Sequence, residues 1–390
     1  MTPRKTLWLL STLGLLLIQL PEWFHLPTRW LGIGFALKAT GLLLNGPGFG
    51  AVTAVLGYAF ARTLFGNLLS WVLTLVLLEP VVGWIQGPAR RNGGQREMTR
   101  RAFLVGGSSA AGALAVGSYS HFYELRNLRV EQFRLWLPQL PPALEGLRVV
   151  LMADWHCGPL NRPHHLRPAM LLANQLRPDL VLLPGDFISR SGRYFSEAAE
   201  LASMLRPGIP QGVLLSWGNH DYWHGLDPGR RWMPEAGCQI LTNQALVLNR
   251  RRELEAHGKG LWIAGVDDLW AGRPRLQETL ARLPNDEPRL VLCHNPDLAE
   301  EQGGVRVDLM LSGHTHGGQV RIPKVGAPIL PSRYGQKYAA GWVQAPEYPV
   351  YVNCGLGSGG IPVRLGVPPE ITVFELYRGP SVLHQRVRLI

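Results

Sequence analysis

Residues able to bind metal ions recur in five short clusters in the second half of the chain. The clusters are Asp154-Trp155-His156, Gly185-Asp186, Gly218-Asn219-His220-Asp221, His294, and Gly313-His314-Thr315-His316. They offer oxygen and imidazole nitrogen but no thiolate, which suits Mn, Fe or Zn in a hydrolytic site better than a structural zinc. Two such ions roughly 3.5–4 Å apart hold both the attacking and the leaving oxygen of a phosphoryl transfer. The clusters therefore predict a two-metal hydrolytic site.

A short apolar run precedes nearly every cluster. These runs are rich in Val and Leu and cover residues 148–153, 180–184, 213–217, 289–293 and 307–312. Short runs of this kind that stop at Gly or Pro are typical of buried strands. In an α/β sheet, ligands bind outside the carboxyl ends of the strands. We expect the ends of five strands to assemble the site.

Residue type alone already suggests individual roles. A carboxylate bridges two cations well, and Asp186 follows Gly185, where the backbone can approach metals closely. His220 is a candidate general acid near neutral pH, and the adjacent Asp221 is a candidate to fix its tautomer.

The order Asp-x-His, Gly-Asp, Gly-Asn-His-Asp, His, Gly-His-Thr-His resembles that of the calcineurin-like metallophosphoesterases. Longer strings at 216–223, 311–319 and 355–375 are similar to its YkuE/YaeI branch of membrane-associated bacterial enzymes. The resemblance covers about the last two thirds of the chain. It implies a metal-dependent phosphoesterase that uses two divalent metal ions, either Mn, Fe or Zn.

The resemblance also implies a ligand set. One metal would be held by Asp154, His156, Asp186 and His316. The second would be held by Asp186, Asn219, His294 and His314. His220 would lie outside the metal shell, where it hydrogen-bonds a phosphate oxygen or protonates the leaving group while Asp221 orients it. No metal-binding position is missing, so the resemblance implies an active enzyme.

From residue 146 onward, strands alternate with helix-length segments. We expect helices at 163–176, 197–205 and 274–283, and hairpin-like strands at 239–249 and 261–266. Such alternation predicts an α/β domain with much parallel pairing. The resemblance sharpens this to two mixed β-sheets packed face to face with flanking helices. The catalytic domain is expected at 146–390, after a linker and first strand at 121–145.

Residues 1–86 are apolar and predict an all-α transmembrane region. About 20 mainly apolar residues span a bilayer as a helix, and four spans fit at about 6–24, 30–45, 48–65 and 67–86. A signal peptide is the competing interpretation of the first run, because Arg4-Lys5 precede it. Further apolar segments follow that run directly and it lacks a small-x-small cleavage site, which favours a span.

Residues 87–120 combine a basic loop with a fifth apolar segment at 102–119. Basic residues concentrate in cytoplasmic loops. Arg4-Lys5, four spans and the arginines at 90–101 together place the catalytic domain outside a bacterial cell membrane. The string at 99–104 also resembles a twin-arginine export signal. An ordinary span and an export signal place the domain on the same side.

Net charge is +11, and its distribution argues against a nucleic-acid partner. Residues 1–101 carry ten Lys+Arg and three Asp+Glu, a net of +7, which leaves only +4 for the rest. Most of the basicity therefore belongs to membrane orientation rather than to a nucleic-acid surface. The four cysteines lack CxxC spacing. Cys157 and Cys293 adjoin proposed ligands, and buried free thiols are favoured over a disulfide between them.

These features predict a membrane-anchored phosphoesterase in which hydroxide activated at the metals attacks phosphorus. The substrate is expected to be a phosphorylated small molecule or lipid of the envelope. A phosphomonoester, a phosphodiester and a pyrophosphate all stay open, as does the oligomeric state. One alternative is a UDP-2,3-diacylglucosamine pyrophosphatase of lipid A synthesis, which requires a cytoplasmic domain. Another is a small transporter or assembly subunit with an accessory phosphoesterase domain, although its spans offer few ionisable residues.

Overall fold

The computed structural model describes residues 115–301 and 304–387. The four expected spans within residues 1–86, the basic loop with the string at 99–104, and most of the fifth apolar segment at 102–119 lie outside these ranges. The chain divides into two compact units, Met1–His121 and Phe122–Ile390. Within the described ranges, the helices are all too short or too polar to traverse a bilayer.

The first sheet has seven strands and carries three of the ligand clusters. Its strands are β1 (Arg129–Leu137), β2 (Arg148–Leu151), β3 (Leu180–Pro184), β4 (Val213–Ser216), β5 (Cys238–Ile240), β13 (Glu370–Arg378) and β14 (Leu383–Arg386). They lie in the order β14-β1-β13-β2-β3-β4-β5. Strands β2 to β5 are parallel, whereas β13 runs antiparallel to β2 and β14 antiparallel to β1. The sheet is therefore mixed.

The second sheet carries the other two clusters. Its strands are β6 (Gln244–Asn249), β7 (Leu254–Glu255), β8 (Gly260–Gly265), β9 (Arg289–Leu292), β10 (Leu309–Ser312), β11 (Gly341–Gln344) and β12 (Pro349–Val352). The order is β11-β12-β10-β9-β8-β6-β7. The central strands β12, β10, β9 and β8 are parallel, and the outer ones pair antiparallel.

Alternating side chains pack the two sheets face to face. On β3, Leu180 and Leu182 join an inner core, while Val181 and Leu183 join an outer one. On β9, Leu290 and Leu292 belong to the same inner core, and Val291 to an outer core on the opposite side. This period of two is what a strand buried on both faces requires. The predicted α/β sandwich of two mixed sheets is confirmed.

Helices cover both outer faces. They are α1 (Pro163–Gln175), α2 (Phe195–Ser203), α3 (Asn219–Trp223), α4 (Asp227–Glu235), α5 (Leu276–Leu280) and α6 (Leu298–Glu301). Short 3-10 turns lie at Glu124–Arg126, Pro142–Leu144, Gly192–Tyr194, His316–Gly318 and Gly335–Tyr338, and a π-helical turn lies at Tyr119–Tyr123. Helices α1, α2 and α4 pack on the first sheet, and α5 and α6 pack on the second.

Two expectations need correction. The segment 239–249 is not one hairpin arm, because β5 pairs with β4 in the first sheet and β6 pairs with β8 in the second. Leu241 still donates its backbone N–H to Leu215 O of the first sheet, at 2.8 Å, before the chain crosses over. The helix expected at 274–283 is only the short α5.

Candidate metal centre

The seven expected ligands come together at the carboxyl ends of five parallel strands. Asp154 and His156 follow β2, Asp186 follows β3, and Asn219 opens α3 just after β4. The remaining three come from the second sheet, with His294 after β9 and His314 and His316 after β10. All seven side chains are buried. The edge where the two sheets meet is therefore lined with metal-binding groups.

Three ligands of the first expected set face one another closely. The Nε2 atoms of His156 and His316 are 2.9 Å apart, and His316 Nε2 is 3.5 Å from Asp154 Oδ1. His156 Nε2 also lies 3.4 Å from Asp186 Oδ2. Asp154, His156 and His316 are a group whose ligand atoms all lie within 4.8 Å of one another.

The ligands of the second expected set also lie close to one another. His294 Nε2 lies 3.2 Å from Asp186 Oδ2, and His314 Nδ1 lies 3.2 Å from His294 Nε2. The Asn219 Oδ1 atom is buried and has no hydrogen-bond partner among the residues that the structure describes. A buried acceptor of this kind is costly unless something else satisfies it, and a cation does so. The same Asp186 oxygen faces both sets.

The residues present fit a metal ion, as the hydrogen bonds of His294 show. Its Nδ1 is 2.7 Å from the Pro184 carbonyl oxygen, which can only accept, so Nδ1 carries the proton. On a neutral ring the Nε2 lone pair would point at the Asp186 carboxylate, 3.2 Å away, and two acceptors would face each other. Burial lowers the pKa of His294 but Asp186 raises it, with a net value of about 10. The contact therefore demands a positive charge at Nε2, which either a proton or a bound metal ion supplies. A histidine oriented by a carbonyl is typical of metal ligands.

Backbone strain is concentrated at the same residues. Five of the seven expected ligands have positive φ angles: Asp154 at 53°, His156 at 49°, Asp186 at 57°, His314 at 73° and His316 at 52°. Non-glycine residues seldom adopt this conformation, and it persists where the surrounding structure enforces it for function. The strand ends are therefore bent to aim side chains at a common point.

Two glycines allow the close packing around the carboxylates. A Cβ on Gly218 would lie 2.3 Å from Asp186 Oδ1, and one on Gly313 would lie 2.4 Å from Asp154 Oδ2. Both distances are far inside van der Waals contact. Each glycine in the Gly-Asn-His-Asp and Gly-His-Thr-His strings is thus required by the carboxylate beside it.

Asp221 has a different position from the one expected. Its carboxylate accepts hydrogen bonds from the backbone N–H groups of Gly218, Asp186 and Phe187, at 2.8–2.9 Å. It therefore ties the Asp186 loop to the start of α3. The ring atom next to His220 Nδ1 is instead His224 Nε2, at 3.2 Å. The expected orientation of His220 by Asp221 is replaced by a contact with His224, one helical turn later.

Arg364 is a residue of the site that sequence reasoning missed. Its buried guanidinium donates to the carbonyl oxygens of Cys354, Gly355 and Gly357. A Cβ on Gly355 would lie 2.6 Å from Asp154 Cβ, so this loop packs directly on a ligand. The only indication in the sequence is an arginine inside a Gly- and Pro-rich run. Arg364 holds the loop that backs Asp154.

Two tryptophans, Trp223 and Trp270, stand beside the site and are called the tryptophan rim. They stack with ring centroids 6.4 Å apart. Trp223 lies 5.2 Å from the His220 ring and Trp270 lies 4.4 Å from the His314 ring. Aromatic rings at the edge of a polar site can hold an apolar or planar part of a substrate.

The four cysteines are buried free thiols within the part of the chain that the structure describes. Cys157 packs in the outer core of the first sheet and Cys293 in that of the second. The favoured interpretation, two free thiols beside ligands, agrees with this placement.

Comparison with known proteins gives a consistent result. The sequence pattern of the calcineurin-like phosphoesterases matches residues 147–318. The chain is 33% identical over 287 residues to "Uncharacterized metallophosphoesterase YkuE" of Bacillus subtilis, which covers 72% of this chain and 98% of that protein. It is 32% identical over 290 residues to "Phosphodiesterase YaeI" of Escherichia coli, and this match covers 72% of this chain and 99% of that protein.

A third relative has a longer sequence. The chain is 30% identical over 257 residues to "Transmembrane protein with metallophosphoesterase domain" of Danio rerio, which covers 63% of this chain and 56% of that protein. The two bacterial relatives, in contrast, are matched over nearly their whole length. With its strand-end ligands, its two mixed sheets and these matches, the chain belongs to the calcineurin-like metallophosphoesterase family, in the YkuE/YaeI branch, and is a metal-dependent phosphoesterase.

Proposed function

We propose that the chain is a membrane-anchored phosphoesterase that uses two divalent metal ions bridged by Asp186. One observation carries the two-metal assignment: Asp186 Oδ2 lies 3.4 Å from His156 Nε2 and 3.2 Å from His294 Nε2. Asp154 and His316 complete one ligand set, and Asn219 and His314 complete the other. When bound, such ions activate water and neutralise charge on phosphoryl oxygens.

His220 is the residue placed to supply a hydrogen bond to the substrate. His220 Nδ1 faces His224, which leaves Nε2 as the ring atom for a phosphoryl or leaving-group oxygen. Burial lowers the pKa of His220, and with a proton on Nε2 the ring would donate a hydrogen bond to that oxygen. Asp186 Oδ1 accepts from the His220 backbone N–H at 2.8 Å. The bridging ligand and the general-acid candidate are thus held together.

His220→Ala tests the assignment of this residue. We expect hydrolysis of a chromogenic phosphodiester to fall by about 10²–10⁴-fold, the usual contribution of a general acid, while elemental analysis still finds two metals per chain. His257→Ala is the matched control, because His257 is exposed in the loop before β8, at the far end of that strand. A loss of tenfold or less would contradict the role. Loss of a metal would make His220 a ligand instead.

The membrane anchor and the substrate class rest on the first 120 residues. Their apolar runs and basic loop fit spans with the catalytic domain outside the cell, and one relative is named a transmembrane protein. A tethered enzyme meets lipid headgroups at high effective concentration. We propose a phosphorylated lipid or other amphiphilic envelope compound as the substrate.

Reporter fusions test this topology. Reporters active only inside or only outside the cytoplasm, placed after Gly93 and after Ile390, should give opposite signals. Neutralising the five arginines at positions 90–101 should scramble the pattern, because Lys/Arg bias sets orientation. Cytoplasmic signals at both positions would contradict the exported domain. The pyrophosphatase alternative, which acts on a cytoplasmic lipid A precursor, would then become the better account.

A further inference from the structure

A cluster of exposed apolar side chains lies in residues 321–334, called the basic-apolar loop. Ile322 is 42% exposed, Val325 69% and Ile329 69%. Together with Tyr334, the loop holds four of the thirteen large exposed hydrophobic residues found in the described ranges. Single exposed apolar residues are ordinary, whereas several on one short segment are a candidate interaction surface.

Hydrogen bonds within the loop and at its two ends fix its conformation. Ile322 and Gly326 exchange two backbone hydrogen bonds of 2.9 Å, which close a tight turn at the tip. The Gln336 side chain accepts from Ala327 N and donates to Ala327 O. At the far end, Asp297 accepts from Ser332 Oγ and Arg333 N. Val325 is therefore exposed on a loop whose conformation is fixed by hydrogen bonds.

The charge of the loop has one sign. Residues 321–334 contain Arg321, Lys324 and Arg333 and no acidic residue. Arg321 precedes the Ile322–Gly326 turn and Lys324 lies within it, and both side chains are exposed. Arg333 forms an ion pair of 2.6 Å with Glu301. Apolar side chains between exposed cations are the composition that binds an anionic lipid surface, where the cations meet headgroup phosphates and the apolar groups enter the acyl boundary.

The loop adjoins the metal centre. It begins five residues after His316, and its base packs on the same segment, since a Cβ on Gly318 would lie 2.2 Å from the Ala327 side chain. The tryptophan rim borders the site as well, with Trp223 55% and Trp270 38% exposed. Tryptophan is enriched where proteins meet the headgroup layer.

We infer that the basic-apolar loop inserts its tip into the surface of a bilayer that carries anionic phospholipids, and that it holds the mouth of the metal centre against the headgroups. Ile322, Val325 and Ile329 enter the bilayer, while Arg321 and Lys324 contact the phosphates. This membrane contact deepens the proposed function, and the choice of a lipid substrate rests on that function. It is the enzyme's second membrane contact, separate from the proposed spans.

A fluorescent probe at the tip tests the contact. The full-length chain carrying Val325→Cys is labelled with an environment-sensitive dye, which is selective because the four native cysteines are buried. It is then reconstituted into phosphatidylethanolamine vesicles doped with phosphatidylglycerol. We expect blue-shifted emission and quenching by spin-labelled lipid. Leu171→Cys is the control, because Leu171 is 51% exposed on α1, at the first sheet.

Equal lipid quenching at positions 325 and 171 would overturn the inference. So would a probe at 325 that is shielded from an aqueous quencher but not reached by spin-labelled lipid, since protein would then cover the loop. Lys324→Ala should weaken insertion into the anionic vesicles about fivefold, the effect of one basic residue at such a surface. Unchanged insertion would contradict the role of the loop's charge.

Hydrolysis separates this inference from the proposed function. The double variant Val325→Ser and Ile329→Ser should hydrolyse a soluble chromogenic phosphodiester as the parent does, and should lose activity on a vesicle-borne lipid phosphodiester. If the parent fails on the soluble ester, the proposed function fails whatever the probe reports. If the variant keeps full activity on the lipid ester, the loop does not position the site.

Discussion

Asp186→Asn is expected to abolish phosphodiester hydrolysis and to leave at most one metal ion per chain. Asp186 Oδ2 is the atom that faces both ligand sets, at 3.4 Å from His156 Nε2 and 3.2 Å from His294 Nε2. Removing its charge leaves two cations to repel each other across the site. The amide has nearly the same shape as the carboxylate, so the substitution changes charge rather than packing.

Elemental analysis and turnover of the same preparation measure this effect. The control is Asp179→Asn, which lies just before the opposite end of β3 and accepts a hydrogen bond from Arg148 N at 2.8 Å. The control variant should keep two metals and near-parental activity. Two metals per chain and near-parental turnover in Asp186→Asn would show that Asp186 is not the bridge.

Arg364→Met is expected to lower the free energy of unfolding by about 3–5 kcal/mol, because several buried carbonyl oxygens lose their donor at once. The guanidinium is fully buried and also donates to Val367 O at 3.1 Å. Methionine fills much of the volume but offers no N–H group. The loop that backs Asp154 should loosen, so metal affinity should fall as well.

Thermal unfolding checks this prediction. A domain of this size changes its Tm by roughly 2–4 °C per kcal/mol, so a drop of about 6–20 °C is expected. Arg378→Met removes a guanidinium from the exposed end of β13 and should change Tm little. Equal Tm values for the two variants would mean that Arg364 does not brace the site.

The strands that deliver the ligands were predictable from sequence for a simple physical reason. A strand buried on both faces needs an uninterrupted apolar run, and 180–184 and 290–293 have that pattern. Their ends were equally predictable, because Gly185 and His294 change the residue type abruptly. The local sequence therefore specifies both the strand and the place where its ligand emerges.

Partners distant in sequence were not predictable. Strand β13 lies between β1 and β2, although more than 200 residues separate it from either, and no local pattern encodes that pairing. The segment 239–249 was predicted as one strand, yet Leu241 hydrogen-bonds to the first sheet and Gln244 begins a strand of the second. Asp221 next to His220 suggested an orienting pair, but the turn of α3 places His224 beside that ring instead.

Metal titration tests the central claim most directly. The full chain is stripped with a chelator, and Mn²⁺ is added back while hydrolysis of a soluble chromogenic phosphodiester is followed. We expect no hydrolysis by the stripped protein and a rate that rises to a plateau at two ions per chain. A plateau at one ion per chain, or a rate that survives complete removal of metal, would contradict a dinuclear centre bridged by Asp186.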